Sequence, residues 1–317
     1  MKKPLFIFAV LGVCLVGCGD TPEASEINIT ASTRIPVQTL EWEGSMRGRQ
    51  LVSKHYRIYT TANGTLIKTL PGFLEASYDN YLMITQLPDT PLPKKMPVYM
   101  MATRNEWAAL SDGKFGVRNS PAVIIDNGGY SYQGINVCWN IGGISTYGVA
   151  SHEGMHQFLF HRLKSKLPLW AEEGLATTAE GFVMGRGTVT FTPDKNLARL
   201  GNLQKSIING LWLSMDELLT TDTRKMAVRG QDQVLGYYSQ LYALTNFLRQ
   251  SKTYGPGWYR MFKDAQAGQL KRARPKIRNP RTGRYPGVFA HYITTDFDAF
   301  EKEYRNHARK MVHLPAE

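Results

Sequence analysis

Cysteine is scarce in this 317-residue chain, which has only Cys14, Cys18 and Cys138. The first two sit in an N-terminal apolar stretch that reads as a leader, so Cys138 has no intrachain partner and a disulfide-built scaffold is excluded. Cys138 lies in the apolar, strand-like run Gly134–Trp139, where a small buried hydrophobe is expected rather than a ligand. A long apolar run is missing too: Leu5 to Val16 is too short to span a bilayer as a mature helix. Acid is in deficit, with 26 Asp and Glu against 38 Lys and Arg. There is no internal repeat and no low-complexity tract, which excludes solenoid architectures.

Lys2 and Lys3 precede the apolar run, and Leu15-Val16-Gly17-Cys18 closes it in a pattern that looks like a bacterial lipobox. The expectation is a lipoprotein signal peptide over residues 1–17, cleavage before Cys18, and lipid on its thiol and new amino terminus. Asp20 resembles the inner-membrane retention signal of enteric bacteria. Residues 18–45 mix Thr, Ser, Pro and Glu without apolar period and read as a flexible tether. The chain is thus expected in the bacterial cell envelope, lipid-anchored to a membrane on the periplasmic or extracytoplasmic face. Without the leader it keeps 36 basic against 26 acidic side chains. Much of the excess sits in Lys271, Arg272, Arg274, Lys276, Arg278, Arg281 and Arg284, interleaved with Pro275, Pro280 and Pro286. In an envelope lipoprotein that cluster reads as a solvated loop or a contact for anionic lipid, polysaccharide or acidic substrate, and no nucleic-acid partner is expected.

The chemistry is concentrated between Tyr147 and Ala176. His152 and His156 are four residues apart, so on a helix both imidazoles face one ion. Glu153 follows the first histidine and can take a proton from water at the metal's open position without ligating it. This is the H-E-x-x-H pattern of zinc hydrolases. A tetrahedral catalytic site needs a third protein ligand. Glu173 is the best candidate, on a second helix started by Pro168, and His161 is its rival. The longer H-E-x-x-H-x-x-G-x-x-H pattern fails at Leu159 and Arg162.

With Leu167-Pro168-Leu169-Trp170 and Glu173-Gly174-Leu175-Ala176 downstream, residues 147 to 180 resemble the gluzincins, and more closely the peptidase MA-like domains of bacterial envelope proteins. The resemblance implies one Zn²⁺ held by His152, His156 and Glu173, with Glu153 as general base. It also implies an edge strand, just before His152, that pairs with extended peptide substrate. Thermolysin-like enzymes carry an aspartate four residues after the glutamate ligand, where this chain has Thr177; Glu180 or a backbone carbonyl is a possible substitute for orienting a histidine. Asn127 to Gln133 contains no acid to capture a free amine, which favours an endopeptidase over an aminopeptidase. Chains of this kind have a Tyr-x-Gln helix at the distance of Tyr238–Gln240. A tyrosine hydroxyl there would hold the oxyanion, a role worth roughly 10²-fold in rate, with Tyr238 the first choice and Tyr242 the second.

The expected fold is α+β and zincin-like: a small mixed sheet and active-site helix over residues 46–180, then a mainly helical half over 181–317. Strands are expected at 54–60, 96–101, 122–126 and 134–139, with a turn at Asn127-Gly128-Gly129. Helices are expected from Leu66 to Leu87, its start delayed by Pro71-Gly72, and over Arg104–Leu110. Further helices are expected within 211–219, with Ser214 as N-cap and Glu217 completing a capping box, and over 236–248 and 296–312. His55 reads as a structural residue of the first strand, and His291, His307 and His313 lack partners at ligand spacing and read as surface or core residues. The function expected is a membrane-anchored zinc metallopeptidase acting on peptide or protein substrates. The alternatives are an inactive zincin-fold lipoprotein that binds envelope ligands, and a zinc amidase acting on peptidoglycan peptides.

Overall fold

A computed structural model describes residues 8–9, 26–30, 38–41, 47–116, 128–273 and 286–316. The chain divides into two compact units, and helix and strand are mixed in it. The first unit comprises the described residues up to Met83, then Pro88–His161 and Phe182–Thr192. Its early elements are strands β1 (Phe8–Ala9), β2 (Ile27–Asn28), β3 (Gln38–Glu41), β4 (Arg47–Val52) and β5 (Tyr56–Thr60), then helix α1 (Thr65–Thr85). Strand β6 (Met96–Met101), helix α2 (Arg104–Gly113), strands β7 (Gly128–Tyr132) and β8 (Ile135–Trp139) and helix α3 (Gly143–Arg162) follow. The hairpin β9 (Phe182–Met184) and β10 (Thr188–Phe191) completes the unit.

Seven strands form one sheet in the order β1-β7-β8-β6-β5-β4-β3. Strands β5, β6 and β8 run parallel, in the register Ile58↔Val98 and Val98↔Asn136, and the outer strands are antiparallel. Strand β5 alternates as a half-buried strand must: Tyr56, Ile58 and Thr60 are buried while Arg57 is exposed. Helix α1 buries Leu70, Phe73, Leu74, Tyr78 and Tyr81, each worth about 1.5–3 kcal/mol against exposure. That burial carries the helix through Pro71, so it begins at Thr65 and is not delayed as expected. The hairpin turn also differs from expectation. Gly128 and Gly129 belong to strand β7, and the reversal falls on Gln133 and Gly134, both with positive φ of 50° and 78°. The expected strand at 122–126 lies outside the described residues.

A second sheet, β2-β10-β9, is one the sequence reading lacked. Strand β2 falls in the stretch read as tether, and β9 and β10 in the stretch read as helical. Strands of two to four residues pair through their backbones and leave no apolar period to detect.

The second unit comprises Ile84–Leu87, Arg162–Gly181 and the described residues from Pro193 onward. It is helical: α4 (Leu169–Ala179), α5 (Leu197–Ile208), α6 (Met215–Thr220), α7 (Thr223–Ala227), α8 (Gln231–Gln250), α9 (Gly255–Ala267), α10 (Gly287–Tyr292) and α11 (Phe297–Met311). Helix α8 is the axis, buried at every residue from Gly236 to Asn246. Tyr304 on α11 donates to the Gln240 carbonyl at 2.7 Å, and the Gln240 amide clasps both backbone groups of Leu213. Ser214 caps α6 as expected, whereas the Glu217 carboxylate pairs with Arg229.

Candidate metal centre

Helix α3 starts where Asn140 Oδ1 accepts from the Gly142 amide and from Thr146 Oγ1, at 3.1 and 3.0 Å. From Val149 to Leu159 every residue but His156 is buried, which is why its apolar residues show no single face. Three side chains grip it within its unit. Asn136 Nδ2 donates to the Ala150 carbonyl at 3.0 Å and Tyr81 Oη to the Ser151 carbonyl at 2.8 Å. One turn on, Gln157 Nε2 donates to the carbonyls of Pro97 and Gly134, at 2.7 and 2.8 Å. His152 and His156 project from this helix with ring centroids 5.1 Å apart and planes at 68°.

Helix α4 begins because Pro168 is extended and offers its carbonyl to the amides of Ala171 and Glu172 at 3.0 and 3.2 Å. Within its own unit α4 lies very close to α8. A Cβ at Gly174 would come 2.1 Å from Thr245 Oγ1 and 3.0 Å from the Leu241 carbonyl oxygen. Glu173 and Glu153 are fully buried.

One ligand atom each from His152, His156 and Glu173 lie within 4.8 Å of one another, a group that can hold a metal ion. Two imidazoles and a carboxylate are a zinc-type donor set. His161, the rival third ligand, has Nε2 2.9 Å from the Gly134 carbonyl oxygen and is not in that group.

Thr177 spends its hydroxyl on its own helix, bonding the carbonyls of Glu173 and Gly174 at 2.9 and 3.0 Å. Glu180 takes a two-pronged contact from the buried Arg199, at 2.8 and 2.7 Å. Burial pushes the Glu172 carboxyl up to about 8, with Lys166 pulling it down and Glu173 pushing it further up. Burial raises the Cys138 thiol well above its usual range, and the Glu153 charge adds to that rise. Cys138 is the buried, strand-borne residue expected, donating to Asn136 Oδ1 at 2.8 Å.

The tyrosines of α8 divide by what their hydroxyls do. Tyr238 Oη is 3.1 Å from Thr223 Oγ1, and its ring lies under the Arg199 guanidinium at 5.3 Å. Tyr242 Oη accepts from the Asn196 amide at 3.0 Å. Tyr237 is fully buried, its hydroxyl has no hydrogen-bond partner among the described residues, and Glu173 is the first charge acting on it. Sequence reasoning passed over Tyr237, because adjacent tyrosines on a helix are told apart only by what each face meets. Cys18 and most of the basic cluster, Arg274 to Arg284, lie outside the described residues. Among the described residues no helix is long and apolar enough to cross a membrane. Comparison with protein-family models and with curated proteins gives no match to this chain.

Proposed function

We propose that the protein is a membrane-anchored zinc metallopeptidase of the gluzincin, peptidase MA-like kind, with a zincin-like fold, acting as an endopeptidase on peptide or protein substrates. The observation that supports it most is the group His152, His156 and Glu173, with Glu153 directly after the first of them. Zinc held there would supply Lewis acidity at a peptide carbonyl and lower the pKa of water toward neutrality. Glu153 takes the proton from the attacking water and delivers it to the leaving amine. A tyrosine hydroxyl of α8 donates to the carbonyl oxygen as it gains charge. We assign that role to Tyr237, one residue before the position the sequence favoured, because its buried hydroxyl is still to be satisfied. Lipid on Cys18 tethers the enzyme to the envelope membrane.

The test is elemental analysis and peptide-bond hydrolysis on the soluble chain lacking residues 1 to 18. Wild type and Glu153→Gln are expected to hold one zinc and His156→Ala none, with hydrolysis in Glu153→Gln reduced by about 10³-fold. Absence of zinc from wild type after loading, or full activity in Glu153→Gln, would sink the reading.

A further inference from the structure

The H-E-x-x-H motif leaves its two central positions open, and this chain has glycine in the first of them. Glycine in a buried helix interior is disfavoured against alanine, so Gly154 calls for a reason. The reason lies across the helix. A Cβ at Gly154 would stand 2.4 Å from Tyr81 Oη and 3.3 Å from its Cζ, closer than any side chain tolerates. The same Oη donates to the Ser151 carbonyl at 2.8 Å. Carbonyl oxygens carry two lone pairs, so Ser151 can serve both its helix and Tyr81. Tyr81 is completely buried, its ring packs 5.5 Å from that of Phe158, and the Glu153 charge adds to the burial that raises its pKa. Gly148, six residues earlier on α3, has open space where its Cβ would be. Closeness to a neighbour is therefore particular to Gly154 and not general to the glycines of this helix.

We propose that Tyr81 is a positioning residue for the metal centre, and that Gly154 is glycine so that the Tyr81 hydroxyl can reach Ser151 and set the rotation of the turn carrying His152 and Glu153. The proposal rests on the zinc reading above. Outer-sphere partners that aim metal ligands typically change affinity 10–100-fold when removed.

The experiment compares Gly154→Ala, Tyr81→Phe, the double variant and Gly148→Ala in the full chain. The readouts are zinc affinity, by competition with a chromophoric chelator, and the thermal midpoint of the metal-free protein. Tyr81→Phe is expected to weaken zinc about tenfold. Gly154→Ala is expected to weaken it more and to lower the midpoint, and Gly148→Ala to leave affinity unchanged. With Oη removed, the added methyl at position 154 meets only the ring edge, so most of its penalty should vanish in the double variant. A Gly154→Ala penalty of the same size in the Tyr81→Phe background overturns the fitted contact, and unchanged zinc affinity in Tyr81→Phe overturns the positioning role; the latter holds even if Gly154→Ala does not fold. If wild type binds no zinc, the metal reading and the positioning role fail together, whereas failure of this inference alone leaves wild-type zinc in place.

Discussion

Tyr237 carries the sharpest residue-scale consequence. An unpaired buried hydroxyl costs about 1–3 kcal/mol, and Tyr237 is fully buried with no partner for its Oη among the described residues. Burial, then the charges of Glu173 and Asp222, raise its pKa, so the group stays a proton donor across the working pH range. Tyr237→Phe is predicted to reduce kcat/KM by about 10²-fold while zinc content is retained and the thermal midpoint rises, since an unpaired buried hydroxyl is removed and no intramolecular bond is lost. Tyr238→Phe gives up the contact with Thr223 and is predicted to cost about 1 kcal/mol of stability in urea unfolding, with a smaller effect on rate. A rate loss confined to Tyr238→Phe would return the role to that residue.

At the scale of elements, the aim of Glu173 depends on how closely α4 can approach α8. The backbone at Gly174 lies against Thr245 Oγ1 and the Leu241 carbonyl, and Thr178 Oγ1 closes onto the Gly174 carbonyl at 2.7 Å. Gly174→Ala is predicted to cost about 1–3 kcal/mol by overpacking, measured in urea, and to weaken zinc as α4 shifts. Unchanged stability and zinc affinity would show that α4 has slack there. Helix α3 is held differently, by side-chain donors taking its carbonyls and by Gln157 reaching two carbonyls outside it. Both helices were legible in the sequence as elements, because Pro168 and the histidine spacing act over one or two turns. The partners that aim them were not legible. Asn136, Tyr81 and Thr245 stand 14 to 73 residues from the groups they meet, and no local period marks them.

For the molecule as a whole, acid stability has an identifiable anchor in the first unit. Glu75 on α1 accepts from the His55 amide at 2.8 Å, lies 2.6 Å from His55 Nδ1 and takes the Ser53 hydroxyl. His55 in turn stacks on Tyr78 at 3.8 Å, a structural role as expected. Burial raises the Glu75 pKa, and the bonds from His55 and Ser53 more than offset it, leaving the value below 4.5. A carboxyl whose folded pKa is depressed contributes stability that is present above the unfolded value and lost as pH falls through the folded one. Stability should therefore fall as the pH drops below about 4.5. Glu75→Gln is predicted to flatten that part of the profile and to cost about 1.5–3 kcal/mol at neutral pH, as measured by urea unfolding across pH. An acid limb identical to wild type would remove Glu75 as its source.

Some features of this protein follow from covalent neighbourhood alone. His152 and His156 share a helix face because they are four residues apart, α4 starts after Pro168 because proline suits a helix start, and β6 reads correctly from Met96 to Met101. The engagement of Tyr238 and Tyr242 against Tyr237, the contact of His161 with the Gly134 carbonyl, and the sheet order around β8 came only with the tertiary structure. The physical reason is range. Helical period and proline chemistry act within a few residues, whereas a hydroxyl's partner, a glycine's neighbour and a strand's place in a sheet are settled by which distant segments share the same few ångströms.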